Sequence, residues 1–158
     1  MKVTNAEIMA MWRVIAELSQ HPFKAAFVHG LLRNKKLLRP LVEQLEAASA
    51  PVPGFQRFEQ QRVQLTVSCC ELDDNGQPVV RNGQVFITEE SKQRFTAGME
   101  ALTTEYGEEI EAQRAKDAEV QALMAEQVEI DLAAIPLSTF PDGITLIQME
   151  ALDPIIVA

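Results

Sequence analysis

The chain has 158 residues, 47% of them hydrophobic, and a formal net charge of −9 at pH 7. This length predicts one domain, or one domain with an extension, and the apolar content suffices for a core. No run of about 18 apolar residues predicts a transmembrane helix. Residues 1–7 include an acid and no long apolar stretch, so we expect no signal peptide.

The charge is unevenly distributed along the chain. Residues 1–50 hold seven Lys/Arg against four Glu, a net +3, whereas residues 51–158 hold seven against nineteen acids, a net −12. An acidic body repels nucleic acid and lipid phosphates. This balance therefore favours a protein that contacts other proteins.

The first 50 residues predict a small bundle of three short helices. Thr4 and Glu7 form a capping-box pattern that opens the first helix, and Pro22 ends it. A second helix is predicted over about 23–34, in which Gly30 is either a close helix crossing or a local weakness.

The third predicted helix of this head covers about 36–48. Pro40 is expected in its first turn, where proline is tolerated. Residues 50–54 then form a stiff linker because they include two prolines and a glycine.

Residues 55–127 predict a long antiparallel helical hairpin. On the first arm, the residues from Phe55 to Leu72 alternate spacings of three and four and are apolar except for Arg62. The second arm, opened by Thr88 or Ser91 as N-cap, carries apolar residues at similar spacing from Phe95. We expect Phe58 to pack near Tyr106 or Ile110, and Leu72 near Phe95.

The far end of this hairpin predicts a β-hairpin tip. Asp73-Asp74-Asn75-Gly76 is a turn signal, and Asn82-Gly83 between two β-prone runs is typical of a two-residue hairpin turn. Glu71 to Gly76 also resembles the start of a calcium loop. The twelfth position is Asn82 rather than the required Glu, so a plain turn is favoured.

Residues 128–158 predict a strand, a short helix and an apolar tail. Val128-Glu129-Ile130-Asp131-Leu132 alternates apolar and acidic residues, and Thr145 with Gln148 is a second capping-box pattern. The tail of Ile155, Ile156 and Val157 either folds onto its own core or docks on a partner or second copy.

The predicted fold class is thus mainly α with a minor β part. A small N-terminal helical bundle (1–50) packs on a long antiparallel helical hairpin with a β-hairpin tip (51–127), followed by a short C-terminal strand and helix segment (128–158). We expect the three segments to form one cooperative domain.

The sequence contains no catalytic or cofactor signature. The two histidines lack ligand-spaced partners, no G-x-S-x-G motif or glycine-rich phosphate loop is present, and the adjacent Cys69 and Cys70 are expected to be reduced thiols. We therefore expect a non-enzymatic protein with no catalytic, cofactor-binding or metal-binding residues.

The only basic cluster consists of Arg33, Lys35, Lys36 and Arg39. It either caps the second helix and is solvated, or docks on an acidic protein surface; nucleic acid is disfavoured because no aromatic stacking set accompanies it. The candidate partner-binding residues are Arg33, Lys35, Lys36, Arg39, Val85, Phe86, Ile155, Ile156 and Val157.

The order of features resembles small uncharacterised, mainly helical proteins of tailed bacteriophages. The residues that carry the resemblance are the run Leu31–Pro40, the run Glu71–Val85 and the run Val128–Leu137. The resemblance implies a phage origin and a non-enzymatic role. It leaves two functions open: a virion structural or assembly component, or a host-takeover or anti-defence factor that blocks a host protein.

The expected partners are other phage proteins or a second copy of the chain, with a host protein as the alternative and no membrane. The expected location is the host cytoplasm, or the virion if the protein is incorporated there.

Overall fold

The computed structural model of the protein describes residues 1–157, and these residues are mainly helical. The helices are α1 (Asn5–Leu18), α2 (Ala25–Ser49), α3 (Pro53–Cys69), α4 (Lys92–Glu105), α5 (Gly107–Ala125) and α6 (Leu146–Leu152). The strands are β1 (Lys2–Thr4), β2 (Val80–Arg81), β3 (Gln84–Val85), β4 (Gln127–Glu129), β5 (Ile135–Pro136) and β6 (Ile156–Val157). The predicted class, mainly α with a minor β part, is confirmed.

The chain forms two compact units. Unit 1 contains residues 1–50 together with residues 118–157, and unit 2 contains residues 51–117. The N-terminal and C-terminal segments, which the sequence presented as separate, therefore share one core. That core consists of side chains from α1, α2, β1, β5 and α6 and from the turn that follows α6.

Both predicted capping boxes are present in unit 1. The Thr4 hydroxyl accepts the Glu7 N–H, and the Glu7 carboxylate accepts the Thr4 N–H at 2.6 Å, which starts α1. Thr145 and Gln148 make the same exchange at the start of α6. Each pair satisfies N–H groups that have no partner within the helix.

The second and third predicted helices are one continuous helix, α2. The predicted break near Asn34 is wrong, because Asn34 is fully buried and continues a single apolar stripe along the helix. This stripe consists of Phe27, Leu31, Asn34, Leu38, Val42 and Leu45. Leu32 and Leu37 lie off this stripe and are exposed.

Pro40 is inside α2 rather than in a first turn. Its ring nitrogen has no hydrogen to donate to the Lys36 carbonyl, which costs one helical hydrogen bond. Pro40 is on the exposed side of the helix, where water can hydrate that carbonyl. The helix therefore continues through a residue that the sequence placed at its start.

Asn34 connects α2 to the segment that follows β4. Its Nδ2 donates to the Ala133 carbonyl at 2.8 Å, and its Oδ1 accepts the Ala133 N–H at 2.7 Å. One turn earlier, a Cβ at Gly30 would lie 2.8 Å from Cγ1 of Ile135. Gly30 is therefore a point of close approach rather than a weakness in the helix.

Unit 1 contains two strand pairs, and the first of them joins the N-terminal segment to the C-terminal one. β1 is antiparallel to β4, with Val3 opposite Val128, and β5 is parallel to β6, with Ile135 opposite Ile156. The buried Asn5 side chain donates to the Leu123 carbonyl at 2.8 Å. The same carbonyl, in the last turn of α5, also accepts the Glu126 N–H at 3.2 Å, so the Asn5 side chain caps the end of this helix.

Unit 2 contains the predicted helical hairpin. α3 packs on α4, and the rings of Phe58 and Tyr106 are 6.0 Å apart, so the predicted packing of Phe58 is confirmed. The predicted packing of Leu72 on Phe95 is not found, because α3 ends at Cys69 and Leu72 lies, 51% exposed, in the tip. Cys69 closes the buried seam instead.

Candidate interaction surfaces

The tip is a small antiparallel sheet in which three segments bond to one another. Asn82 and Gly83 have φ of 52° and 77°, the two left-handed positions that a type I′ turn requires, and they connect β2 to β3. The chain leaving α3 pairs with both arms of this hairpin: the Glu71 N–H donates to the Phe86 carbonyl, and the Val79 N–H donates to the Glu71 carbonyl, each at 2.8 Å.

The register of this sheet gives it one apolar face. Paired residues point to the same side of an antiparallel sheet, and alternate residues of a strand share a face. The observed pairs are Cys70 with Ile87, Leu72 with Pro78, and Val80 with Val85. All six side chains are apolar, and we call this set the tip face.

Only the inner end of the tip face is covered. Cys70 is buried and Ile87 is half-buried, whereas Leu72, Val80 and Val85 are 51%, 59% and 37% exposed. Single exposed apolar residues are ordinary, but a contiguous group on one rigid face is typical of a contact site.

The opposite face of the tip is occupied by charged side chains. The Arg81 guanidinium lies 4.2 Å from the centre of the Phe86 ring and 3.3 Å from the Glu71 carboxylate. Phe86, a predicted partner-binding residue, therefore lies under a cation on this second face, whereas Val85 lies on the tip face.

Two residues of the tip face, Leu72 and Val80, were missed by the sequence reasoning. Leu72 was assigned to the helical seam because its spacing from Cys69 continues the pattern. Val80 belongs to an apolar run of two, so its direction cannot be read until the pairing with Val85 is known. The Asn82-Gly83 turn fixes that pairing.

Cys69 and Cys70, both free thiols, lie at the base of the tip. Burial raises the pKa of the Cys69 thiol, but the Ser68 hydroxyl and the Arg94 guanidinium lower this pKa by more, so it lies below its ordinary value of 9.0. Arg94 Nε donates to Cys69 Sγ at 3.4 Å, and Nη2 of the same guanidinium donates to the Ser68 carbonyl. Arg94 thus holds the start of α4 against the end of α3.

The predicted basic cluster lies along the middle of α2, not at a helix junction. Arg33, Lys36 and Arg39 are exposed. Lys35 is half-buried, with Nζ 5.8 Å from the centre of the Trp12 ring. Because α2 continues to Ser49, these cations do not cap a helix end as one interpretation of the sequence required.

The apolar tail, predicted as a candidate docking segment, is largely covered by unit 1. Ile155 is 2% exposed and Ile156 is half-buried against Ile135, so only Val157 remains open. Folding onto its own core, the other option left open by the sequence, is what the structure shows for Ile155 and Ile156. The short parallel pair of β5 and β6 supplies the backbone partners of Ile156 and Val157.

Within residues 1–157 no three His, Cys, Asp or Glu side chains are placed together as metal ligands would be. No helix in the same range is long and apolar enough to cross a membrane.

Comparisons with protein-family models, curated proteins and solved structures find no match.

Proposed function

We propose that the chain is a non-enzymatic bacteriophage protein that acts through protein–protein contacts, as a structural or assembly component of the virion. The observation that carries the proposal is the tip face. Its outer residues Leu72, Val80 and Val85 are apolar, exposed and held in fixed register. The sequence resemblance to phage proteins supplies the setting.

The tip face suits a contact with another protein because its backbone is already ordered. The chain leaving α3, the residue before β2 and the residue after β3 are joined by backbone hydrogen bonds among Glu71, Val79 and Phe86. Docking would therefore not have to order a flexible loop, and less conformational entropy would be lost. The exposed apolar side chains would supply the favourable term on leaving water.

A pair of single substitutions tests the proposal. Val80→Glu places a charge on the tip face, and Gln84→Glu places the same charge on the opposite face of the adjacent strand. Both positions are exposed, so we expect both variants to keep the wild-type melting temperature and far-UV circular dichroism spectrum. Any difference in binding then reflects the face that carries the charge.

The assay is quantitative mass spectrometry of virions purified from phage that encode the wild-type chain or one of the two variants. We expect the wild-type and Gln84→Glu chains in the particle and the Val80→Glu chain strongly depleted. Equal incorporation of all three chains would refute the role of the tip face. Absence of the wild-type chain from particles would refute a virion component and leave an assembly or host-directed role.

A further inference from the structure

We propose that unit 1 pairs with a second copy of the chain, with Leu146 and Ile147 of each copy entering the groove between α1 and α2 of the other. The proposal concerns residues of unit 1 only and does not depend on the tip face. It follows from three observations: an open apolar groove, two strongly exposed apolar side chains beside it, and opposite charges on the two elements.

The groove is a cavity of about 250 Å³ between the end of α1 and the first half of α2. It is lined by Leu18, Ser19, His21, Val28, Leu31, Leu32 and Lys35. Its volume is below the roughly 300–1,000 Å³ of pockets that hold drug-sized ligands, but it offers apolar contact to one or two aliphatic side chains. Val28 and Leu32 on its rim are 42% and 48% exposed.

Leu146 and Ile147 are the apolar side chains that fit this groove. They are 74% and 75% exposed, more than any other large apolar side chain described in residues 1–157. They occupy the first two positions of α6, which is fixed by the Thr145 capping box and by the fully buried Leu152. Both side chains are thus presented from a rigid backbone.

The groove and the exposed pair are neighbours on the same unit. A second cavity, of about 210 Å³, is lined by Leu18 and His21, which also line the groove. It is lined as well by Ile144 and Gln148, which flank the exposed pair in the sequence. Gln148 also donates to the Glu17 carboxylate at 3.0 Å. A twofold axis between two copies can therefore place each exposed pair at the other copy's groove, giving a self-complementary contact.

The charges of the two elements are complementary. Lys35 lines the groove, and Arg39, one turn further along the same face of α2, is exposed. The α6 side carries acids, and no Lys or Arg occurs anywhere in residues 117–158. Facing copies would bring a basic surface to an acidic one, which favours this partner and this orientation. A second copy of the chain therefore offers both the apolar side chains and the charge that fit this groove.

The test measures the molar mass of the full chain by sedimentation equilibrium over a wide range of concentration. We expect a concentration-dependent dimer. Ile147→Glu removes the inserted side chain, and Leu32→Glu blocks the groove. Each substitution occurs twice in a symmetric dimer. If the loss of one contact raises the dimer Kd about tenfold, each variant should raise it about 100-fold.

The matched control is Val63→Glu, which charges an equally exposed aliphatic residue of α3 in unit 2 and should leave the Kd unchanged. All three positions are exposed, and the melting temperature and circular dichroism spectrum verify that each variant is folded. Mixing Ile147→Glu with Leu32→Glu restores one intact contact, because the first variant keeps its groove and the second keeps its inserted pair.

We therefore expect the mixture to associate more tightly than either variant alone. A wild-type chain that stays monomeric at every concentration would overturn the proposal. Dissociation caused by Val63→Glu but not by Ile147→Glu would place the contact in unit 2 and overturn it as well. A mixture that associates no better than its components would show that Ile147 and Leu32 do not meet.

Discussion

Replacing Asn34 with Ala should destabilise unit 1 far more than the loss of one polar side chain suggests. Asn34 is fully buried, and both of its polar atoms bond to the backbone of Ala133. Truncation leaves the Ala133 N–H and carbonyl without partners, at a cost of roughly 1–3 kcal/mol each. The two groups together would cost roughly 2–6 kcal/mol, and since Ala133 is itself only half-buried, we expect the lower half of this total, about 2–4 kcal/mol.

Urea unfolding followed by tryptophan fluorescence measures the free energy of unfolding of unit 1, because Trp12 is the only tryptophan and lies in α1. The matched control is Gln44→Ala, which removes an exposed polar side chain from the same helix and should change the free energy of unfolding by less than about 0.5 kcal/mol. Equal free energies of unfolding for Asn34→Ala and the control would refute the reasoning.

Asn34→Asp sharpens the test through pH. The new carboxylate would face the Ala133 carbonyl in a buried site, which raises the pKa of the carboxyl above its unfolded value. The folded state then binds more protons than the unfolded state, so stability falls as pH rises through that raised pKa. This variant should be closest to wild type at low pH, whereas the pH dependence of Asn34→Ala should parallel that of wild type.

Two further predictions concern positions with clear controls. Gly30→Ala should destabilise unit 1 by about 1–3 kcal/mol, because the added Cβ meets the buried Ile135. Gly107→Ala, where a Cβ meets nothing within 4 Å, should instead stabilise α5 by up to about 1 kcal/mol. Thermal melts in which Gly107→Ala is the less stable of the two variants would contradict both expectations. Hydrogen bonds from the Thr4 backbone and side chain hold the pKa of Glu7 below its ordinary value of 4.5. The stability that the Glu7 carboxylate contributes is therefore present above pH 4.5 and is lost as pH falls through the lowered pKa. The difference in melting temperature between wild type and Glu7→Gln should therefore shrink below about pH 4.5, and a difference that stays constant with pH would show that the carboxylate charge is not involved.

Features determined by adjacent residues were predictable from the sequence. The capping boxes at Thr4 and Thr145 and the Asn82-Gly83 turn were found because each depends on residues no more than three positions apart. The packing of Phe58 on Tyr106 was predictable because two regular seams in an antiparallel hairpin constrain which positions meet.

Features determined by distant residues were not predictable. The polar run around Asn34 indicated a helix break because the partner that buries it, Ala133, lies 99 residues away. The role of Gly30 was hidden for the same reason, because its close neighbour Ile135 is also far away in the sequence. The tip face was only partly found, since the direction of Leu72 and Val80 depends on pairing across three segments.

The exchange of hydrogen bonds between Met1 and Ile130 has a consequence for how the protein is made. Unit 1 is assembled from the two ends of the chain, so during synthesis α1 and α2 leave the ribosome without the strands and the short helix that complete their core. Pairing β1 with β4 closes a loop that contains most of the chain, and the entropic cost of closure grows with the logarithm of loop length. Contacts between residues so far apart in the sequence also slow folding. Unit 2 is continuous in sequence and can therefore form first, whereas the core of the α1–α2 pair stays incomplete until Ile155 has left the ribosome.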